Sequence, residues 1–404
     1  MPRPENWRTP ETMLLAYSVG WYAAFAVWMA LLNNFAVDSA HFTGREIGIL
    51  QSLREIPGFM AFSVIFVLLF ISEQRLLMIS LLIFGIGVAI TGLFPSEYGL
   101  YFTTILMSIG FHYGEALKQS LTLQLVSKDR APIALGNQIS AGAFASIAVY
   151  GAIYVVTRFF DPGYEMLYAA GGALAVLIGI CAWIAFPTFN AHVVQSKKLI
   201  MRKRYWLFYA LTFLAGARRQ IFVVFAGFMM VEKFGYGVST ITLLYLVNYG
   251  INIFLAPKIG KMIARLGEKR ALIVEYSGLI LVFTGYALVE NATFAACLYV
   301  IDHLFFAFAI GIKSYFQKIA DPQDVAATTG VSFTINHIAA VVIPVVFGFL
   351  WMASPASVFL AGTTLAVCSL IFALNIPRHP CEGNETLVGP RFDNAGKAIK
   401  VAAE

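Results

Sequence analysis

Long apolar stretches repeat along this chain of 404 residues, and they constrain its fold more than any other feature. A helix needs about 20 apolar residues to cross the hydrocarbon core of a bilayer. Strands of a membrane β-barrel would be only about 10 residues long and would alternate in polarity. The pattern therefore predicts an all-α, polytopic membrane protein with twelve transmembrane helices, at residues 13–35, 46–71, 76–94, 98–126, 133–157, 165–187, 205–231, 238–264, 271–289, 293–319, 326–351 and 356–376.

The composition argues against the main soluble classes of protein. Hydrophobic residues make up 59% of the chain and charged residues 12%, whereas soluble proteins have about 45–50% and 25%. A soluble enzyme, a nucleic-acid binder and a disordered protein are therefore not expected. The four cysteines are far apart and form no CxxC, so neither a disulfide framework nor a zinc site is predicted. No phosphate-binding loop of the G-x-x-x-x-G-K-[ST] type is present, and no cofactor is predicted.

Polar segments divide the chain into halves. Most breaks between spans are only a few residues long, but residues 188–204 are polar and basic. We interpret them as a cytoplasmic linker between an N-terminal six-helix half, 1–187, and a C-terminal six-helix half, 205–376. The polar tail, 377–404, is expected to be cytoplasmic and poorly ordered.

An internal repeat agrees with this division. Residues 43–53, at the start of span two, align with 236–246, at the start of span eight. Gly44 pairs with Gly237 and Leu50 with Leu243, at an offset of 193 residues, and span five pairs with span eleven at 194. Duplicated six-helix halves are a known transporter architecture.

The distribution of Lys and Arg predicts the topology. With an internal N-terminus, one set of connections carries 17 of these residues and the opposite set carries three. Because cytoplasmic loops are enriched in Lys and Arg, both termini are predicted to be cytoplasmic. The localisation expected for the chain is a cell membrane, specifically a bacterial inner membrane. The formal charge of +6 is thus explained without a nucleic-acid partner.

The connection between spans eight and nine resembles a family motif. Residues 260–270 read GKMIARLGEKR and are similar to the Gly-x-x-x-Asp-Arg-x-Gly-x-Arg/Lys-Arg/Lys loop of the major facilitator superfamily. Ala264 replaces the Asp, which weakens the charge relay that this loop makes in relatives. The residues that match the motif are Gly260, Arg265, Gly267, Lys269 and Arg270.

The resemblance implies a secondary transporter that works by alternating access around a cavity lined by spans one, four, seven and ten. It also implies a small-molecule substrate and a lipid bilayer as environment. No enzymatic activity is predicted, because the Glu, His and Asp residues of the spans form no recognisable nucleophile or metal constellation. The fifth helix lacks the Gly-Pro signature of drug/proton antiporters, because residues 136–151 contain no proline. The family's fourth-helix arginine is absent as well, since Leu106 stands at that position.

Span four carries three ionisable residues, His112, Glu115 and Lys118. Such residues are costly in hydrocarbon, by about 2.5–3.5 kcal/mol on insertion scales, so each needs a reason to be there. Two interpretations stay open. Glu115 and Lys118, at i and i+3, neutralise each other and tie helices together. Alternatively, the span faces the cavity, where His112 contacts substrate and Glu115 carries a proton.

Span seven carries Arg218 and Arg219 near its midpoint. Adjacent residues on a helix differ by about 100°, so we expect one arginine to face the cavity and the other to pair or snorkel. Arginine binds carboxylate and phosphate groups in a bidentate manner. We predict substrate contact for this pair, with Arg218 chosen first. The alternative is that both form interhelical salt bridges.

Span ten carries Asp302 and His303. Asp302 is a candidate counter-ion for Arg218 and, with His303, a candidate proton carrier. A metal site would need about four ligands, so that His112 and His337 would also have to converge there; no metal is predicted.

Two other pairs complete the candidate residues. Arg54 and Glu55 in span two are predicted to form a gating or structural salt bridge. Asn248 and Asn252 share a face of span eight at i and i+4, where they either bind substrate or hydrogen-bond to neighbouring helices.

The sequence therefore predicts a secondary transporter, a monomer, for a small anionic or zwitterionic solute, working alone or with proton coupling. One alternative is a proton-linked exporter of drugs or organic cations that uses Glu115 and Asp302. A second is a transporter-like membrane receptor or sensor without transport.

Overall fold

The computed structural model describes residues 7–60, 63–127, 130–160, 162–189, 201–321, 324–389, 391–392 and 398–399. These residues are almost entirely helical, which confirms the all-α class. The helices are α1 (Pro10–Asp38), α2 (Gly44–Phe59), α3 (Val64–Val67), α4 (Glu73–Thr91), α5 (Glu97–Leu125), α6 (Ala131–Phe159), α7 (Tyr164–Ala185), α8 (Trp206–Gln220), α9 (Gly227–Glu232), α10 (Val238–Leu266), α11 (Glu268–Leu288), α12 (Ala292–Phe305), α13 (Ile310–Ile319), α14 (Val325–Ala353) and α15 (Pro355–Leu374).

Short segments of other geometry interrupt or follow these helices. A 3-10 turn, Lys203–Tyr205, precedes α8, and a second one, Phe306–Ala309, joins α12 to α13. A π-helical segment, Ile221–Ala226, joins α8 to α9. Beyond α15, the two-residue strands β1 (Arg391–Phe392) and β2 (Ala398–Ile399) pair antiparallel.

Ten helical segments among the described residues are long and apolar enough to cross a membrane. They correspond to ten of the twelve predicted spans. The predicted span at 46–71 is broken, because α2 ends at Phe59, shortly after Pro57, and only the four-residue α3 follows before α4. The predicted span at 98–126 is the single 29-residue helix α5, but Glu115 and Lys118 interrupt its apolar sequence.

The first two helices begin where side chains can satisfy free backbone N–H groups. Thr9 caps α1, since its hydroxyl accepts from the Thr12 N–H at 3.2 Å, and Pro10 takes the first helical position, where no N–H is needed. Thr43 and Glu46 form a reciprocal capping box at the start of α2, with Thr43 N–H donating to Glu46 Oε2 at 2.9 Å. These caps fix the entry of the chain into each helix.

Two compact units make up the chain, Met1–Gln195 with Val231–Leu246, and Ser196–Met230 with Val247–Glu404. In the first unit, α4 packs against α5 and α7, while α1 packs against α6 and α7. In the second unit, α11 packs against α15, and α8 packs against α14 and α15. Of the predicted linker, residues 190–200 lie outside the described part of the chain.

The first part of the tail is folded onto the second unit, contrary to the expectation of poor order for 377–404. The Tyr315 hydroxyl donates to the Glu385 carbonyl at 2.6 Å, and Arg204 Nη1 lies 3.1 Å from Glu382 Oε1. Asn375 donates to the Val388 carbonyl at 2.8 Å. Composition suggested disorder, but these polar contacts to the helix ends hold residues 381–388 in place.

An ion pair lies beside this tail. Arg202 is bonded to Asp324, whose side chain is fully buried, and Tyr205 also donates to Asp324, at 2.9 Å. Hydrogen bonding to Asp324 raises the pKa of Arg202. The start of α8 is thereby tied to the start of α14.

Candidate functional site

A cavity of about 230 Å³ lies within the second unit. Five helices (α8, α11, α12, α13 and α14), the π-helical segment and the 3-10 turn before α13 supply its walls, so residues far apart in sequence meet there. Charged and polar side chains share the walls with apolar and aromatic ones, which is typical of ligand sites. The lining residues are Ala215, Arg218, Arg219, Phe222, Glu275, Leu279, Phe283, Asp302, Phe305, Ala309, Lys313 and Asn336.

Arg218 is the most deeply buried cation of this cavity, with a side chain only 3% exposed. Its Nε donates to the Leu214 carbonyl at 3.2 Å, one turn earlier in α8. Its guanidinium lies 4.3 Å from the centroid of the Tyr276 ring, a cation–π contact worth about 2 kcal/mol when desolvated. Nη1 has no hydrogen-bond partner among the described residues.

Two buried carboxylates face the same cavity, Glu275 from α11 and Asp302 from α12. Glu275 Oε1 lies 3.8 Å from Arg218 Nη2, which is an ion pair but too long for a hydrogen bond. Glu275 Oε2 and Asp302 Oδ2 both lack a hydrogen-bond partner in the described part of the chain. Unsatisfied buried polar atoms are costly, so this cavity has both donor and acceptor capacity to offer a ligand.

A change in helix geometry occurs directly beside the two arginines. The N–H of Ile221 lies within bonding distance of the carbonyls of both Ala217 and Arg218, where α8 passes into the π-helical segment. Segments of this kind are found often at functional sites. Both Arg218, which is buried, and Arg219, which is exposed, line the cavity. The expectation that only one of them faces the cavity lined by spans one, four, seven and ten stays a prediction.

Gly216 allows Asn336 of α14 to approach α8 closely. A Cβ atom at Gly216 would lie 2.6 Å from Asn336 Oδ1, a distance that real Cβ atoms do not tolerate. The glycine thus makes room for the amide of Asn336 at the cavity wall. Asn336 also lines an adjoining cavity of about 370 Å³ next to the aromatic side chains of Phe208 and Phe316.

Other predicted residues of this unit lie elsewhere. His303, adjacent to Asp302, has its ring centroid 6.0 Å from that of Phe222, but it does not line the cavity. Asn248 is buried on α10, with no partner for its amide atoms among the described residues, and Asn252 is half-buried on the same helix. Neither asparagine lines the cavity.

In the first unit, the predicted residues of span four lie on α5 among aromatic side chains. The Lys118 ammonium is 5.0 Å from the Trp21 ring and 5.3 Å from the Tyr22 ring. His112 is buried, edge-on to Phe111 at 4.9 Å between ring centroids, and Glu115 is half-buried on the same helix. Lys118 thus has an aromatic environment that the predicted pairing with Glu115 did not include.

Arg54 and Glu55 form a buried ion pair within α2. Arg54 Nε donates to Glu55 Oε1 at 3.1 Å, and the guanidinium lies 5.6 Å from the Trp28 ring. Ser108 of α5 donates to the Arg54 carbonyl. The predicted salt bridge therefore exists, and its gating role stays a prediction.

The motif-like segment 260–270 spans the junction of α10 and α11. Gly260 and Arg265 belong to α10, Gly267 lies between the helices with φ +83°, and Lys269 and Arg270 are in the first turn of α11. A positive φ favours glycine, so Gly267 allows the sharp reversal of the chain. The motif residues therefore surround one tight helix–helix connection.

Sequence reasoning missed the role of Glu275 and the presence of Tyr276 and Asn336 at the site. Glu275 was visible as a charge inside span nine, but its position gave no partner. It is seven residues into α11, whereas Arg218 is twelve residues into α8, so the distance from each helix start does not pair the two. The packing of α8 against its neighbours, which no single-span pattern encodes, decides the pairing.

Comparison with known proteins agrees with the helical architecture. A family model described as the Major Facilitator Superfamily matches residues 13–344. No curated protein sequence matches significantly.

Solved structures with the same fold include three transporters. The nucleoside transporter NupG aligns with a TM-score of 0.71 at 16% identity, covering 90% of this chain and 98% of its own. A bacterial homologue of the human lysosomal transporter Spinster, inward-facing and unoccupied, aligns at 0.66 and 13%, covering 92% and 96%. A D-xylose–proton symporter aligns at 0.69 and 11%, covering 93% and 98%. At these identities the likeness concerns the fold.

Proposed function

The chain belongs to the Major Facilitator Superfamily, and from this premise we propose that it moves a small anionic or zwitterionic solute across the membrane by alternating access, with proton coupling. Membership in this family makes it a transporter and not an enzyme. The solved structures of the same fold include a nucleoside transporter and a D-xylose–proton symporter. Nucleosides and D-xylose are polar solutes, which agrees with the charged and polar side chains that line the cavity of this chain.

The observation that carries the proposal is the state of Arg218. Its guanidinium is buried at the cavity wall, its ion pair with Glu275 is long at 3.8 Å, and Nη1 has no partner within the described residues. A buried guanidinium without a strong counter-ion is unfavourable. A carboxylate or phosphate group of the solute would complete the hydrogen bonds of the guanidinium. Without a bound solute, Glu275 compensates its charge only partly, because the two groups share no hydrogen bond.

Two carboxylates of the cavity wall support a zwitterionic solute within this proposal. Glu275 Oε2 and Asp302 Oδ2 are free acceptors in the described part of the chain, and they could take donors from an amino or hydroxyl group. Among the lining residues, Arg218, Arg219 and Lys313 carry positive charge against these two carboxylates. A solute with one acidic group and several donors therefore fits the walls best.

For coupling, we assign proton carriage to Asp302. Asp302 is 2% exposed and lines the solute cavity. Its charge would therefore interact electrostatically with a bound solute. Glu115 and His303 remain secondary candidates, because neither lines this cavity. The topology that goes with this proposal has both termini cytoplasmic, two six-helix halves and a monomeric unit in a bacterial inner membrane.

The test is ligand binding by the purified protein in detergent. A panel of small carboxylates, phosphates, amino acids and organic cations is screened by the shift in melting temperature. For a solute that binds, Arg218→Lys keeps the charge but loses the bidentate geometry, and should weaken binding by about 1.5–3 kcal/mol. Arg204→Lys is the matched control, since Arg204 is equally buried but pairs with Glu382 away from the cavity.

An outcome in which no anionic or zwitterionic solute binds, or in which Arg218→Lys leaves the affinity for each of them unchanged, contradicts the proposal. Arg219→Lys is measured in parallel, because Arg219 lines the same cavity. Coupling is tested in proteoliposomes. Asp302→Asn should abolish accumulation driven by a proton gradient and retain solute exchange, because Asn mimics only the protonated carboxyl.

The second candidate, a proton-linked exporter of organic cations, is favoured by one specific observation, the two unsatisfied carboxylate oxygens of Glu275 and Asp302. It predicts that cations alone shift the melting temperature and that Glu275→Gln removes the shift. The same screen therefore distinguishes the two functions.

A further inference from the structure

A second cavity of about 720 Å³ lies away from the solute cavity, where several helices of the second unit end. Arg265 comes from the last turn of α10, Lys269 and Arg270 from the first turn of α11, and Lys318 from the last turn of α13. Arg378 follows the end of α15. Five cationic residues from four separate parts of the chain therefore line one volume.

The described residues do not neutralise the cationic charge of this cavity. Arg265, Arg270 and Arg378 make no ion pair with any described residue. Lys269 donates to the Leu374 carbonyl at 2.7 Å, a neutral acceptor that leaves its charge uncompensated. Ala264, where related loops carry an Asp, offers no carboxylate to the neighbouring Arg265.

Glu268, the one acid that the described residues place in this wall, is already satisfied. Its Oε1 accepts from Ser314 at 2.6 Å and lies 2.7 Å from Lys318 Nζ. This contact takes up one of the five cations and leaves an excess of four. The volume also lies within the range of about 300–1,000 Å³ that is usual for ligand pockets.

We propose that this cavity binds a phosphate group from the side predicted to be cytoplasmic. Arginine guanidinium groups bind phosphate oxygens in a bidentate manner. Because the cavity lies at the ends of membrane-spanning helices, the headgroup of an anionic lipid can reach it, and basic pockets at this level bind such headgroups. A free phosphate or a soluble phosphorylated molecule has the same chemistry.

The experiment uses the purified full chain in nonionic detergent. Water-soluble dihexanoyl phosphatidylglycerol, dihexanoyl phosphatidylcholine and inorganic phosphate are titrated separately, and binding is followed by native mass spectrometry and melting temperature. The test variant is Arg265→Gln/Arg270→Gln/Arg378→Gln. The matched control, Arg8→Gln/Arg75→Gln/Arg130→Gln, removes the same charge on the same predicted side of the first unit.

Phosphatidylglycerol should bind wild type and the control, and the cavity variant should lose at least about tenfold in affinity. Binding of the lipid without inorganic phosphate identifies a headgroup as the source, whereas equal binding of inorganic phosphate, in competition with the lipid, identifies a soluble anion. Equal loss in the control variant, equal binding of phosphatidylcholine, or binding of neither anion overturns the proposal.

If the triple variant does not fold, the single variants Arg265→Gln and Arg378→Gln replace it. Each should weaken phosphatidylglycerol binding several-fold, while Arg75→Gln should not. Unchanged affinity in both single variants overturns the proposal as well. Because the solute screen at Arg218 concerns a different cavity, failure here leaves the proposed transport function standing.

Discussion

Arg218 Nη2 lies 3.8 Å from Glu275 Oε1, so the two charges attract each other without sharing a hydrogen bond. The guanidinium is instead held by the Leu214 carbonyl at 3.2 Å and by the face of the Tyr276 ring at 4.3 Å. This arrangement positions a cation rigidly at a cavity wall and leaves part of its donor capacity open. Such preorganisation lowers the cost of binding an anion.

Glu275→Gln should destabilise the empty protein and strengthen its response to anions. Removal of the carboxylate takes away the ion-pair partner of the buried guanidinium, which should cost about 1–3 kcal/mol. A bound carboxylate or phosphate would then supply the missing charge. The melting temperature of the variant should therefore be lower than that of wild type without ligand, and should rise more on addition of an anionic solute.

The control for this prediction is Glu385→Gln, another buried carboxyl of the same unit that lies in the tail. Its variant should show no enhanced response to anions. If Glu275→Gln gives the same ligand-induced rise in melting temperature as wild type, Glu275 does not compete with the solute for Arg218.

Tyr276→Leu should destabilise the protein more than Tyr276→Phe does. Phenylalanine retains an aromatic face for the Arg218 guanidinium, whereas leucine fills a similar volume without one. The cation–π contact predicts a difference of about 1–2 kcal/mol between the two variants. Chemical or thermal unfolding in the same detergent measures it. Equal stability of both variants would mean that the ring serves only to fill space.

The sequence predicted the apolar architecture well, because long uninterrupted apolar runs leave few alternatives to membrane helices. It also singled out Arg218, Arg219 and Asp302, since charges in hydrocarbon require a reason, and all three line one cavity. The sequence could not predict which carboxylate forms an ion pair with which arginine. Whether Arg218 meets Glu275 or Asp302 depends on helix rotation and packing, and the hydrophobic periodicity of a fully apolar helix does not fix its rotation.

Two further differences have the same origin. Two interpretations were open for span four, a Glu115–Lys118 pair or a cavity-facing site, and neither included the contact of the Lys118 ammonium with the ring of Trp21 in α1, which only the packing of two helices creates. The tail was expected to be poorly ordered from its composition, yet Glu385 and Val388 are bonded to residues at helix ends. Composition describes solubility and says little about specific polar contacts.

Gly216→Ala should lower solute affinity with little loss of stability. The new Cβ would lie 2.6 Å from Asn336 Oδ1, and the amide, as the end of a flexible side chain, can move away. Its displacement removes one polar group from the cavity wall, which is worth about 0.5–1.5 kcal/mol, or roughly two- to tenfold in affinity. The matched control is Gly250→Ala in α10, where a Cβ has no heavy atom within 4 Å among the described residues. Equal affinity in wild type and Gly216→Ala would show that Asn336 does not contribute to binding.

Truncation of the tail at two positions should show that residues 381–388, which are bonded to the helices, contribute to stability and that the residues after them do not. A chain ending at Pro380 keeps Arg378 but loses three links: Tyr315 to the Glu385 carbonyl at 2.6 Å, Asn375 to the Val388 carbonyl at 2.8 Å, and Arg204 to Glu382 at 3.1 Å. Because Arg204 and Tyr315 are buried, loss of their partners leaves polar groups unsatisfied, and we expect a destabilisation of about 2–3 kcal/mol. A chain ending at Gly389 retains all three links and should melt close to the full-length temperature. If both truncated chains melt at the wild-type temperature, the contacts of residues 381–388 add nothing to stability; if both melt lower by the same amount, residues 390–404 are the stabilising part.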